Sequence, residues 1–178
     1  MLKYTTITLA MFVCFGSVTA KAEVPVLKSG TPVVYLADNL DEKDKLGWCI
    51  DTVGRGFAEK LHAHSCKPAG QEAKDTQFSF HAETGQLRSV PFQGKCVTVS
   101  DQDNKKKPFG LLDCVSGKPS QKFVYDETSM EIRIGSTPSN CVIVATKGRT
   151  AGPFMSRDLI YADCKSVDQK YKQWVVKN

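Results

Sequence analysis

Apolar residues along this chain come in short runs with a period of two, separated by clusters of Gly, Pro, Asn and Ser; no stretch carries a long helical pattern. Three β-rich runs open with a cysteine: Cys49-Ile50-Asp51-Thr52, Cys96-Val97-Thr98-Val99 and Cys141-Val142-Ile143-Val144. Three more run into a cysteine, Leu61 to Cys66, Phe109 to Cys114 and Leu159 to Cys164. Each of these has apolar residues five and three places before it, as a half-buried strand should. Val33 to Leu36 supplies an earlier strand, ahead of the charged loop Asp38 to Lys45. The clusters 67–70, 101–108, 135–140 and 147–153 read as turns.

The runs recur. Cys49, Cys96 and Cys141 lie 47 and 45 residues apart, and Cys66, Cys114 and Cys164 lie 48 and 50 apart. Phe78, Phe123 and Trp174 follow at spacings of 45 and 51, and Leu87 and Ile132 each lie nine residues after their aromatic. A period this long marks a threefold internal repeat. It selects one of the 15 pairings that six cysteines permit: Cys49–Cys66, Cys96–Cys114 and Cys141–Cys164, one per repeat. Three repeats of four short strands, approximately 32–82, 83–127 and 128–178, predict an all-β domain that closes into a barrel without open sheet edges.

The chain has 178 residues and seven cysteines, and the odd one lies in the N-terminal segment. Lys3 precedes an apolar stretch from Ile7 to Gly16, too short for a bilayer span, and Ala20-Lys21-Ala22 has the small-x-small pattern of a cleavage site. Residues 1–22 therefore read as an export signal cut after Ala22, with a cut after Ala20 as the fallback. Cys14 leaves with it, and the remainder is expected to be secreted or periplasmic, where disulfides persist. A formal charge of +5, with 24 basic residues interspersed among 19 acidic ones, does not suggest a nucleic-acid partner. The run Lys105-Lys106-Lys107 reads as a solvated loop tip. Nucleophile elbows, phosphate-binding glycine loops and a free thiol beside a histidine are absent from the sequence, so neither an enzyme nor a cofactor is expected.

From Val33 onward the sequence resembles the ricin B-chain-like (R-type) lectins, which have a β-trefoil fold. The likeness rests on the threefold period, one cysteine pair per repeat and an aromatic late in each repeat, with Gln121-Lys122-Phe123 the nearest match to the family's Gln-x-Trp. The resemblance implies shallow sugar pockets, up to one per repeat. Each is built from an Asp two residues after the first cysteine, a polar residue and an aromatic on the strand before the second, and a polar residue ahead of the Gln-x-Trp region. In the first repeat these positions hold Asp51, His62, His64 and Asp75. The second repeat has Thr98, Gly110, Leu112 and Ser120, and the third has Ile143, Ile160, Ala162 and Tyr171. Only the first repeat is equipped.

The expected partner is thus a glycan or glycoconjugate. Asp51 is expected to accept hydroxyl hydrogen bonds, His62 and Asp75 to orient the sugar, and His64 to supply a face for its C–H groups. Strand alternation puts His62 and His64 opposite Leu61 and Ala63, hence toward solvent. Arg55 and Phe57, in the intervening loop, are candidate pocket walls. The same His-x-His with Asp51 and Asp75 also matches a zinc donor set, although the pattern is weak, His81 has no place in it, and no metal is assigned. The alternative function is a trefoil that has lost sugar recognition and acts as an interaction subunit of a toxin or cell-surface assembly, with a protein partner. A protease-inhibitor reading has less support, because no disulfide-framed inhibitory loop is evident.

Overall fold

A computed structural model describes residues 23–100 and 107–178. The expected export signal with Cys14, and Lys105 and Lys106, lie outside these residues. Among the described residues no helix is long and apolar enough to cross a membrane. The first repeat contributes β1 (Val33–Leu36), β2 (Trp48–Thr52), β3 (Leu61–Ser65) and β4 (Phe78–His81). The second contributes β5 (Gln86–Ser89), β6 (Lys95–Val99), β7 (Phe109–Asp113) and β8 (Phe123–Asp126). The third holds β9 (Glu131–Ile134), β10 (Thr137–Val144), β11 (Arg149–Ala151), β12 (Phe154–Arg157), β13 (Leu159–Asp163) and β14 (Trp174–Lys177).

The pairing is cyclic. Each sheet takes three strands from one repeat and the last strand of the repeat before it, in the orders β14-β1-β2-β3, β4-β5-β6-β7 and β8-β9-β10-β13. The first strand therefore pairs with the last, with Val33 opposite Lys177 and Leu36 opposite Trp174. This is a β-trefoil. The threefold-related Phe78, Phe123 and Trp174 are buried at its centre with Leu87 and Ile132. Trp174 satisfies its indole N–H by donating to the Val142 carbonyl at 2.8 Å, as a buried tryptophan must. Each repeat carries its disulfide, spanning 17, 18 and 23 residues with the same Cα separation of 5.0 Å.

Two turn clusters of the sequence prove to be strand. Residues 137–140 belong to β10, entered through a register shift between Thr137 and Cys141 that lets Pro138 sit at the exposed start of the strand. Arg149-Thr150-Ala151 forms β11, joined to β12 by the two-residue turn Gly152-Pro153. Gly152 has φ 62°, the positive value such a hairpin demands at its first turn position. This hairpin departs from the threefold pattern: β12 leaves its own repeat and pairs with β3, Ser156 opposite His64 and Arg157 opposite Ala63. The sheet of the first repeat thus gains two strands from the third.

Candidate functional site

The antiparallel register of β2 and β3 sets Asp51 directly opposite His62 and Cys49 opposite His64. Alternation puts all four side chains on the face away from the core. That face was expected to meet solvent. Instead His62 and His64 are each only 7 % exposed, because the β11–β12 hairpin rises along the free edge of β3. The Phe154 ring meets His64 edge-on, with centroids 5.5 Å apart, and the two imidazoles lie 5.2 Å from each other.

Beneath them Asp51 is fully buried, with both carboxylate oxygens sealed from solvent. Lys67, one residue past the disulfide, reaches back so that its Nζ lies 3.0 Å from Asp51 Oδ2 and 3.3 Å from Asp75 Oδ2. Asp75 comes from a 3-10 turn, Gln71–Thr76. Asp51 lacks a hydrogen bond of good geometry despite this ion-pair distance, and so does His62 Nε2. Two carboxylates from different elements thus share one ammonium in a nearly dry setting.

Burial governs the titration of the cluster. It pushes the Asp51 carboxyl up to about 6, against the opposing pull of Lys67. It brings His62 down to about 3, helped by His64 and by the positive charges of Arg149 and Lys67. His64 is lowered too, chiefly by burial, although its Nδ1 lies 3.1 Å from the Ser65 carbonyl. At neutral pH both imidazoles are uncharged, so their approaches of 4.0 and 3.7 Å to Asp51 are not ion pairs.

Above the cluster opens a cavity of about 640 Å³. His62, His64, Lys67 and Asp75 line it from the first repeat together with the loop at Arg55, and the hairpin supplies Arg149 and Phe154. Phe57 is not part of it; its ring packs edge-on against Phe92 at 5.4 Å, beneath Lys95. Several bonds tie the hairpin down. The buried Arg157 stacks over Trp48 at 4.7 Å, donates to the Ala145 carbonyl at 2.6 Å and pairs with Asp41. Met155 N donates to Ser65 Oγ at 3.0 Å, and that hydroxyl donates to Glu42 Oε1 at 2.7 Å.

The corresponding positions of the other repeats carry no such polar cluster, although the third keeps a smaller hollow of about 420 Å³ against Lys147, Arg149, Asp158 and Ile160. In the second, Thr98 Oγ1 donates to the Cys96 carbonyl and accepts from Gln121 Nε2 at 2.9 Å, while a side chain at Gly110 would press on Ser100. In the third, Ile143, Ile160, Ala162 and Val167 pack against the Cys141–Cys164 disulfide. Another cavity, about 440 Å³, lies around Ser79, His81 and Arg88 and has no carboxylate in its lining; His81 is bonded there to Ser79 Oγ at 3.0 Å.

The zinc-type donor set does not assemble. The place between Asp51 and Asp75 belongs to the Lys67 ammonium. Among the described residues the one close trio of His, Cys, Asp or Glu is Glu131 with Cys141 and Cys164, whose sulfurs are bonded to each other.

Sequence reasoning passed over Lys67, Arg149, Phe154 and Arg157. The available signal was the third cysteine interval, 23 residues against 17 and 18, which leaves room for an extra hairpin.

Residues 39–174 match the family model of the ricin-type beta-trefoil lectin domain. The comparison with curated proteins gives no match. A solved structure similar to this chain is the crystal structure of GalNAc-T7 with UDP, GalNAc and Mn2+, at 16 % identity and a TM-score of 0.49. The match covers 74 % of this chain and 20 % of that one, so this chain spans about a fifth of that enzyme's length.

Proposed function

The chain belongs to the ricin-type beta-trefoil lectin domain family, a carbohydrate-binding module, and from that premise we propose that it is an exported protein that binds a sugar in the cavity of its first repeat. One observation carries this reading: of three equivalent positions, among the described residues only the first sets two imidazoles, an ammonium and a carboxylate around its cavity, where the third has a smaller hollow against Ile160 and the second is filled by Gln121 on Thr98. A cavity of about 640 Å³ is roomy enough for a monosaccharide unit.

The roles follow from what faces the cavity. The His62 ring lines the cavity, but its Nε2 is as sealed from solvent as the Asp51 oxygens, so it offers ring surface rather than a hydrogen bond. Lys67 donates and Asp75 accepts, while His64 and Phe154 offer ring surface to the C–H groups of a sugar. Asp51, sealed beneath them, is a positioning residue that fixes Lys67 rather than the direct acceptor the family pattern implies. The binding module needs no catalytic group. Export through residues 1–22 predicts that protein isolated from the periplasm or the medium begins at Glu23, as N-terminal sequencing will read.

A glycan array tests the site. Saturable binding by wild type that disappears in a folded Asp51→Ala protein supports it; binding that survives the substitution overturns the assignment. The two repeats without the polar residue set favour a second reading, an interaction subunit without sugar recognition. A stable protein partner together with silence on the array would decide for that reading.

A further inference from the structure

The walls of the first-repeat cavity are cationic. Three positive side chains line it, Arg55, Lys67 and Arg149, against a single carboxylate, Asp75, because the oxygens of Asp51 are sealed beneath the floor. Lys67 is held by Asp51 and Asp75, so its charge is balanced from within. The two arginines are different. Arg55 is exposed in its loop and has no ion-pair partner among the described residues. Arg149 meets Asp158 at 2.9 Å in a partly exposed pair, an arrangement that contributes little and is readily exchanged.

The positive field reaches the floor of the cavity. Arg149 and Lys67 both help to hold the His62 imidazole uncharged. A neutral sugar would leave the Arg55 guanidinium on the wall without an acceptor of matching shape and Arg149 with only its exchangeable contact to Asp158. The planar fork of an arginine suits a carboxylate or a sulfate, to which it donates two parallel hydrogen bonds.

We infer that the ligand is an acidic saccharide whose carboxylate or sulfate is held by Arg55 and Arg149 while its ring hydroxyls meet Lys67 and Asp75. This rests on the sugar-binding reading of the same cavity. It also makes recognition a joint act of two repeats, since Arg55 lies in the first and Arg149 in the hairpin of the third.

The test is a glycan array of matched polyvalent conjugates: galactose and glucose beside galacturonic acid, glucuronic acid and the 6-sulfated sugars. Wild type is expected to retain acidic members about tenfold better than neutral ones, and Arg55→Ala and Arg149→Ala each to lose about tenfold of that acidic binding without a change in melting temperature. The preference is expected to shrink as salt is raised. Preference for the carboxylates alone, or for the sulfates alone, supports the inference and names the acid. Equal retention of neutral and acidic members, or acidic binding untouched by both substitutions, overturns the inference and leaves the sugar site standing. Retention of no glycan at all overturns both.

Discussion

The first and third repeats place the same strands around the same disulfide and fill the space beside it in opposite ways. In the third, Ile143, Ile160 and Ala162 close over Cys141–Cys164 as a small apolar cluster. In the first, Asp51, His62 and His64 occupy the matching positions under a cavity, with Lys67 drawn in to balance the buried charge. The fold accepts both. The apolar filling is the more stable choice in general, since buried ion pairs rarely outperform well-packed hydrophobic side chains. The polar cluster adds little to the fold by comparison, which is in keeping with the ligand-binding role proposed for it.

The sharpest way to break the comparison is to remove the ammonium that makes the first filling tolerable. Lys67→Met leaves two buried carboxylates without their cation and is expected to cost about 3–5 kcal/mol in urea unfolding. Next in size is the dependence on pH. His62 titrates near 3 when folded, below its ordinary value of about 6.5, so its contribution is complete above pH 6.5 and is lost as pH falls toward 3. Asp51 runs the other way: raised to about 6, it adds stability below its unfolded value of 3.8 and loses that stability as pH climbs through 6. Between about pH 6 and 4 the Asp51 gain offsets most of a histidine loss that totals on the order of 4 kcal/mol by pH 3, and below pH 4 only the last ~1 kcal/mol of it stands alone. Giving the first repeat the third repeat's residues, as Asp51→Ile with His62→Ile and His64→Ala, is expected to flatten this acid limb relative to wild type and to abolish glycan binding.

The disulfides offer a milder contrast. Replacing either Cys49–Cys66 or Cys141–Cys164 by serines is expected to cost about 3 kcal/mol, slightly more for the longer third loop. Only the first replacement is expected to weaken binding as well, because Lys67 directly follows Cys66. Smallest of all, Phe154→Ala removes one ring from the cavity wall and is expected to weaken binding by about tenfold, near 1.4 kcal/mol, with little change in melting temperature.

The threefold frame was legible because its determinants are local and repeated. Cysteine spacing, period-two runs and the recurring Phe78, Phe123 and Trp174 each report on one repeat at a time. That Asp51, His62, His64 and Asp75 would share one end of the first repeat was legible for the same reason, while their sugar-binding role is a proposal. What escaped was fixed by distant chain. Alternation placed His62 and His64 on the correct face, yet their burial depends on a hairpin whose Met155 bonds Ser65 from 90 residues away. Arg149-Thr150-Ala151 has little strand character of its own and becomes strand by adding to a sheet that another repeat built. Lys67 stands between Cys66 and Pro68, a setting that reads as a turn, and its burial requires Asp51 and Asp75 to converge on it from separate elements.

The borrowed hairpin bears on any attempt to rebuild the molecule as a perfectly symmetric one. Three identical copies of the first repeat would display three sets of Asp51, His62, His64 and Lys67, but each would sit beside a neighbour with the short 17-residue interval. No copy would own a wall to lend, and all three ion clusters would stand open to water. The irregularity of the third repeat is what makes the first repeat's pocket a pocket.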